Sequence, residues 1–203
     1  MIALCREHHD KADAGAYTVD QLRGFKQNVC DEGIGGKFDW LRKEIVGVVG
    51  GGFFFDVREP LASERFPIVW FTVGSGGMRL LNIDMPSLSG LPRFSMRENI
   101  WSLQGQPADF KCPPSGRLVE LAYPNGDYLR VEFRVIESPD EVQSRYGHVE
   151  VEAWPVEYPV TTVEVRLKVG GGGIEVNQKE MRLGESVIRM GYISGFSKGV
   201  VIP

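Results

Sequence analysis

Residues Leu118–Ile136, LVELAYPNGDYLRVEFRVI, carry the clearest structural signal in the chain. Leu129, Val131, Phe133 and Val135 alternate with Tyr128, Arg130, Glu132 and Arg134, the period-two pattern of a strand with one buried face. Asn125-Gly126 marks the turn of a β-hairpin. A two-residue loop there would pair Ala122 with Leu129 and set Glu120 opposite Val131, which buries a carboxylate against the core. A three-residue loop is therefore expected, pairing Tyr123, Leu121 and Val119 with Leu129, Val131 and Phe133, with Gly126 in a bulged turn.

The same texture extends in both directions. From Ile45 onward, short apolar runs are punctuated by Gly and Pro, as in strands joined by tight connections. Candidate strands are 52–57, 68–73, 78–83, 118–123, 128–136, 149–154, 160–169 and 186–193. The tail after Val160 holds strand-like pieces separated by Gly at short intervals, without a fixed period. The expected fold class is α+β: a short N-terminal helical segment over residues 1–44, then a mainly antiparallel, sandwich-like β-rich domain over residues 45–203. A few coils of parallel β-solenoid are the alternative for the tail.

Length and composition bound the function. A chain of 203 residues with 42% apolar and 25% charged residues is that of a soluble globular protein with room for a sizeable core. No apolar run approaches a membrane span, and Arg6, Glu7 and the adjacent histidines interrupt the only candidate for a signal segment, so a cytoplasmic setting is expected. Three widely spaced cysteines, Cys5, Cys30 and Cys112, argue for reduced thiols or metal ligands rather than a disulfide framework. The net charge is -4. Residues 1–43 hold equal numbers of basic and acidic side chains, so the deficit lies in the C-terminal part. Contact with a nucleic acid would need a local basic face, since the chain as a whole offers no basic surplus.

Near the N-terminus the reading changes from strands to helices. Residues 4–14 are rich in helix formers and free of Gly and Pro, and Gly15 ends the segment. Thr18-Val19-Asp20-Gln21 has the form of a capping box. Behind it, Val19, Leu22, Phe25 and Val29 make one apolar stripe. Gly33–Gly36 breaks this second helix. On the first helix, Cys5 and His8 stand at i and i+3 on one face, where they supply half of a structural zinc site. His9 lies roughly 100° further around the axis and would serve a different ion.

The string Ile2-Ala3-Leu4-Cys5-Arg6-Glu7-His8-His9, followed by Asp13, Tyr17, Thr18, Leu22 and Lys26, resembles the C-terminal half of an HNH endonuclease domain, the ββα-metal nuclease family. The resemblance covers about the first 29 residues. It implies that Cys5 and His8 are the second half of a structural zinc pair. His9 matches the final histidine that binds the catalytic divalent metal, magnesium or manganese. The activity implied is metal-dependent hydrolysis of DNA phosphodiesters. The family carries its general-base histidine, its other metal ligand and its first Cys-x-x-Cys half on a hairpin upstream of this helix, and no such hairpin precedes Leu4. This chain alone is therefore expected to cleave poorly, as a truncated or internally initiated form. The alternative is a non-catalytic β-rich module for interaction or homo-oligomerisation, with a vestigial nuclease helix.

Other motifs read more plainly. Gly47–Gly52 lacks the Gly-Lys-Ser/Thr of a phosphate loop and is followed by Phe53-Phe54-Phe55, which reads as a buried strand after a flexible turn. Gly170–Gly173 reads as a loop between strands. Cys112, in a Pro-rich approach to the hairpin, lacks a spaced histidine partner. His148 reads as a surface histidine. Trp40, Trp70, Trp101 and Trp154 are too scattered to make a base-stacking platform.

Overall fold

The computed structural model describes residues 34–37, 42–85, 93–103, 107–111, 113, 117–147, 154–171, 173–195 and 198–202. The chain divides into two compact units, Met1–Ile34 and Gly35–Pro203, and the described residues fall almost wholly in the second. The two expected N-terminal helices lie outside them, as does nearly all of the expected strand 149–154.

The strands in chain order are Ile34–Lys37 (β1), Val46–Val49 (β2), Gly52–Phe55 (β3), Glu59–Ser63 (β4), Pro67–Val73 (β5), Arg79–Asp84 (β6), Phe94–Arg97 (β7), Ile100–Leu103 (β8), Asp109–Lys111 (β9), Leu118–Ala122 (β10), Tyr128–Ile136 (β11), Val160–Val169 (β12), Ile174–Val176 (β13), Met181–Leu183 (β14), Ser186–Ile188 (β15), Tyr192–Ser194 (β16) and Lys198–Ile202 (β17). They form two sheets. One has the order β1-β8-β7-β6-β5-β4-β17. The other runs β15-β14-β13-β12-β11-β10-β9, with β2, β3 and β16 branching from β12. Pairing is mostly antiparallel, with β2 on β12, β16 on β3 and β17 on β4 as parallel pairs. The tail is thus an antiparallel meander, β12 to β15, followed by two strands that return to β3 and β4. It forms no solenoid, because β13 to β15 pair antiparallel with their neighbours in the chain and β16 and β17 with strands far back, and none pairs in parallel with a stacked copy of itself.

Alternation along the central strands explains the core. Leu129, Val131 and Phe133 of β11 and Val163, Val165 and Leu167 of β12 are buried in one cluster, together with Leu61, Ile68, Phe71, Leu81, Ile83 and Phe94 of the other sheet. The inner faces of both sheets therefore share a single apolar core, the main source of stability.

The β10–β11 hairpin confirms the three-residue loop but corrects its register. Val119 lies opposite Val131 and Leu121 opposite Leu129, two residues from the expected partners. The reason is the length of the loop. Tyr123 and Asp127 close it, with Tyr123 N–H donating to the Asp127 carbonyl at 2.9 Å, so Pro124, Asn125 and Gly126 alone make the turn. Gly126 has φ +84°. Apolar residues still face apolar residues because a shift of two preserves the pleat.

The β12 edge opposite β11 is divided. Thr162–Glu164 pair with β2, whereas Leu167–Val169 pair with β13. At the fork, Gly50 N–H donates to the Asn177 carbonyl at 2.7 Å. Gly51 has φ +78°, and a Cβ there would sit 2.4 Å from the Lys179 carbonyl oxygen, so only glycine fits. A second tight seam lies where the chain crosses between sheets. A Cβ on Gly199 would sit 2.4 Å from the Phe54 ring and 2.6 Å from the Pro60 carbonyl oxygen.

An eight-residue helix, Pro139–Tyr146 (α1), follows β11. Ser138 Oγ accepts from Glu141 N–H, Pro139 opens the first turn, and Gly147 at φ +74° returns its N–H to the Gln143 carbonyl. Such start and stop chemistry is sufficient for a short helix. Val142 and Tyr146 pack it onto a second, smaller cluster with Val46, Val48, Phe53, Phe55, Ile136, Trp154 and Val160. This helix covers one end of the outer face of the larger sheet.

Asp127 joins three elements. Its carboxylate is fully buried and pairs with Arg93, just before β7. It also accepts from Asn125 Nδ2 at 2.9 Å and from Gly170 N–H at 3.0 Å. The Arg93 guanidinium lies 4.9 Å from the centre of the Tyr123 ring, and Tyr123 Oη donates to the Arg93 carbonyl at 2.9 Å. Burial pushes the Tyr123 hydroxyl pKa up to about 12 against the opposing pull of Arg93, so it stays a donor. Replacing Asp127 with Asn should lower stability by about 3 kcal/mol, read by thermal or denaturant melts. In a double-mutant cycle with Arg93→Ala the two losses should be far from additive.

Candidate functional site

On the outer face of the larger sheet, the residues alternating with the core are charged. Row by row, Lys111, Glu120, Arg130 and Arg166 stand side by side across β9, β10, β11 and β12. In the next row Glu132 stands opposite Glu164, and beyond Tyr128 come Lys168, Glu175 and Arg182. Like charges opposite one another are destabilising, so each must be compensated along a diagonal. Arg130 is held by Glu120 and by Glu132, the latter at 2.7 Å. Arg134 is held by Glu132. Burial would raise the Glu120 pKa, but hydrogen bonds from Lys111 and Arg130 bring it below the ordinary value.

Glu164 is the most enclosed of these acids, with a side chain 2% exposed. It takes a two-pronged hydrogen bond from Arg145 of α1, Nε to Oε1 at 2.5 Å and Nη2 to Oε2 at 2.9 Å. Tyr146 Oη donates to Oε1 at 2.8 Å, and Arg134 Nε lies 3.7 Å away. Burial alone would raise the Glu164 pKa. The guanidinium fork and the phenol outweigh it, so the net direction is downward. Burial raises the Tyr146 hydroxyl pKa, which keeps it protonated as a donor. This cluster clamps α1 to the sheet and leaves no proton for Glu164 to exchange near neutral pH.

Beside the clamp lies an open groove made of two adjoining clefts of about 420 and 510 Å³. The turn Asn177–Glu180 borders both. Asn177 Oδ1 accepts from Lys179 N–H at 2.8 Å and from Glu180 N–H at 3.0 Å, which fixes the turn. The first cleft is lined by Tyr128, Arg166, Lys168, Glu175 and Lys179, among others, and the second by Tyr146, Lys179, Glu180 and Arg189. Glu180 is occupied by Arg182 at 2.6 Å and Arg189 at 3.3 Å. Arg166, Lys168 and Lys179, by contrast, form no ion pair with a carboxylate among the described residues, and Glu175 faces Lys168 in register without reaching it. Burial and the nearby Glu120 raise the Tyr128 hydroxyl pKa, which leaves it a neutral donor. The groove therefore offers an anion three cations outside any ion pair and a phenol, against the single carboxylate of Glu175.

The metal-ligand candidates Cys5, His8 and His9 lie outside the described residues, as do Cys30, Cys112 and His148. Among the described residues no group of three or more His, Cys, Asp or Glu side chains is placed to hold a metal ion. No helix among them is long and apolar enough to cross a membrane. The groove was not anticipated from sequence. Its one legible sign was the alternation that puts Arg166 and Lys168 of β12 on the same face of the sheet as Arg130 of β11. Comparison with protein-family models, curated proteins and solved structures returned no match.

The clamp has a pH signature. Because the Glu164 pKa is lowered on folding, its stabilisation is complete above the unfolded value of about 4.3 and fades as pH falls through the lower folded value. Glu164→Gln should destabilise the protein by roughly 3 kcal/mol at neutral pH. The gap from the unaltered protein should close on acidification, as followed by denaturant melts at a series of pH values.

Proposed function

We propose that this protein belongs to the HNH nuclease family and acts in metal-dependent hydrolysis of DNA phosphodiesters. In this reading its β-rich unit, a sandwich-like pair of sheets, is a non-catalytic recognition or regulatory module. The observation that carries the reading is the spacing of Leu4-Cys5-x-x-His8-His9 with Tyr17-Thr18-x-x-x-Leu22 and Lys26 in register behind it. Cys5 and His8 would hold a structural zinc ion with a second pair of ligands. His9 would hold the catalytic magnesium or manganese ion, which supplies charge stabilisation at the scissile phosphate and leaving oxygen. The β-rich unit fits a non-catalytic role because its two buried carboxylates are taken up by structural partners, Asp127 by Arg93 and Glu164 by Arg145 and Tyr146. Odd, widely spaced cysteines fit a reducing, cytoplasmic setting.

A second reading, a β-rich module for interaction or self-association, draws on strand β15. It ends the larger sheet and exposes Val187 at 50% and Ile188 at 37%, the kind of strand edge that pairs with another chain.

The nuclease reading is tested by plasmid nicking with magnesium or manganese, using this chain and a form extended by whatever coding sequence precedes Met1. The expected result is nicking by the extended form that His9→Ala abolishes, with bound zinc that Cys5→Ser removes. An inert, zinc-free extended form would refute it. Concentration-dependent sedimentation lost on Val187→Lys would favour the second reading.

A further inference from the structure

We infer that the groove on the outer face of the larger sheet is a binding site for the phosphodiester backbone of a nucleic acid strand. Arg166 and Lys168 sit two residues apart on the same face of β12, a spacing of about 7 Å along the strand. Each can therefore take its own phosphate. Lys179 faces them from the Asn177–Glu180 turn, and the fork at Gly50 and Gly51 holds that turn against the sheet. The cations are positioned by backbone pairing before any ligand arrives.

Three features select this ligand. A guanidinium presents a planar fork that matches phosphate oxygens, and the two ammonium groups add point charges beside it. The neighbouring carboxylates offset the set only in part: Glu180 is engaged by Arg182 and Arg189, Glu120 by Arg130 and Lys111, and Glu175 alone of the groove's acids stands opposite one of the cations, Lys168, leaving a net positive lining. The result is a local positive surplus on a chain whose net charge is -4. Such a surplus confined to one groove is the footprint of backbone neutralisation. The half-buried ring of Tyr128 among the cations adds an aromatic surface of the sort that takes a base in single-strand sites. An acidic peptide would use the charges but not the ring.

The groove contains none of residues 1–29, so its binding and the nuclease reading fail separately. The test is fluorescence anisotropy of a labelled oligothymidylate with the full chain, in the presence of a chelator and at several salt concentrations. Unlabelled inorganic phosphate and polyglutamate serve as competitors. Binding should weaken with salt. Arg166→Ala with Lys168→Ala should lower affinity at least tenfold and reduce the salt slope by about 1.4, the single-strand value for two lost phosphate contacts. Lys179→Glu, at an exposed position, should lower affinity with an unchanged melting temperature, and Lys198→Ala on the other sheet should leave binding as it was. Absence of oligonucleotide binding at low salt, equal binding by the groove variants, or stronger displacement by polyglutamate than by unlabelled oligonucleotide would each overturn the assignment. So would tight binding of inorganic phosphate with no binding of the oligonucleotide.

Discussion

The structure turns on the division of one strand edge. β12 is paired with β11 along almost its whole length, but its other edge is shared between a parallel partner, β2, and an antiparallel one, β13. Two strands can share that edge only if the chain turns away between them, and the turn at Gly50-Gly51 does so against the backbone at Lys179. A backbone oxygen cannot move aside as the end of a flexible side chain can, so the constraint falls wholly on the absence of a Cβ at Gly51. Everything on the outer face inherits its position from this junction: β3 and the aromatic cluster on one side, the Asn177–Glu180 turn on the other.

Charge on that face divides into two populations that the same sheet holds side by side. Glu164, Arg145, Arg134, Glu132, Arg130 and Glu120 are knitted together and half or fully withdrawn from water, and their net effect is conformational: they fix α1 and the relation of β10 to β11. Arg166, Lys168 and Lys179 keep their charge open to the groove. The boundary between the two is one of pairing: Arg130 and Arg166 stand in one row, but only Arg130 has carboxylates within reach, in Glu120 and Glu132.

Much of the fold was legible because its central strands are long and alternate cleanly. β11 and β12 match the expected limits residue for residue, and the described residues of Gly170–Gly173 fall in a turn as expected. Of the expected turn Gly47–Gly52, by contrast, only Gly50 and Gly51 turn, Gly47 lying in β2 and Gly52 opening β3. The strands missed, such as β4, β7, β9 and β14, are three to five residues long, too short for a period to declare itself. The helix α1 was overlooked although Ser138-Pro139-Asp140-Glu141 carries a start signal of the kind recognised at Thr18. The hairpin loop was read at its correct length, but its partners were assigned two residues out, an error that the alternation cannot detect because it preserves the buried face. The groove was beyond reach. Its members come from β11, β12, β13 and a turn near residue 178; the strands meet by pairing, and the fork at Gly50 adds the turn. The Cys5, His8 and His9 pattern rests on local spacing alone.

The return of β16 and β17 to β3 and β4 has a consequence for the order of assembly. Phe53 lies beside Tyr192, and Leu61 beside Val200, partners separated by well over a hundred positions of chain. Both sheets therefore stay unfinished until that last stretch has been made, and a nascent polypeptide must hold the aromatic faces of Phe53 to Phe55 without their final neighbour. Topologies with such distant partners form slowly, and the interval exposes strand edges on which other chains can dock.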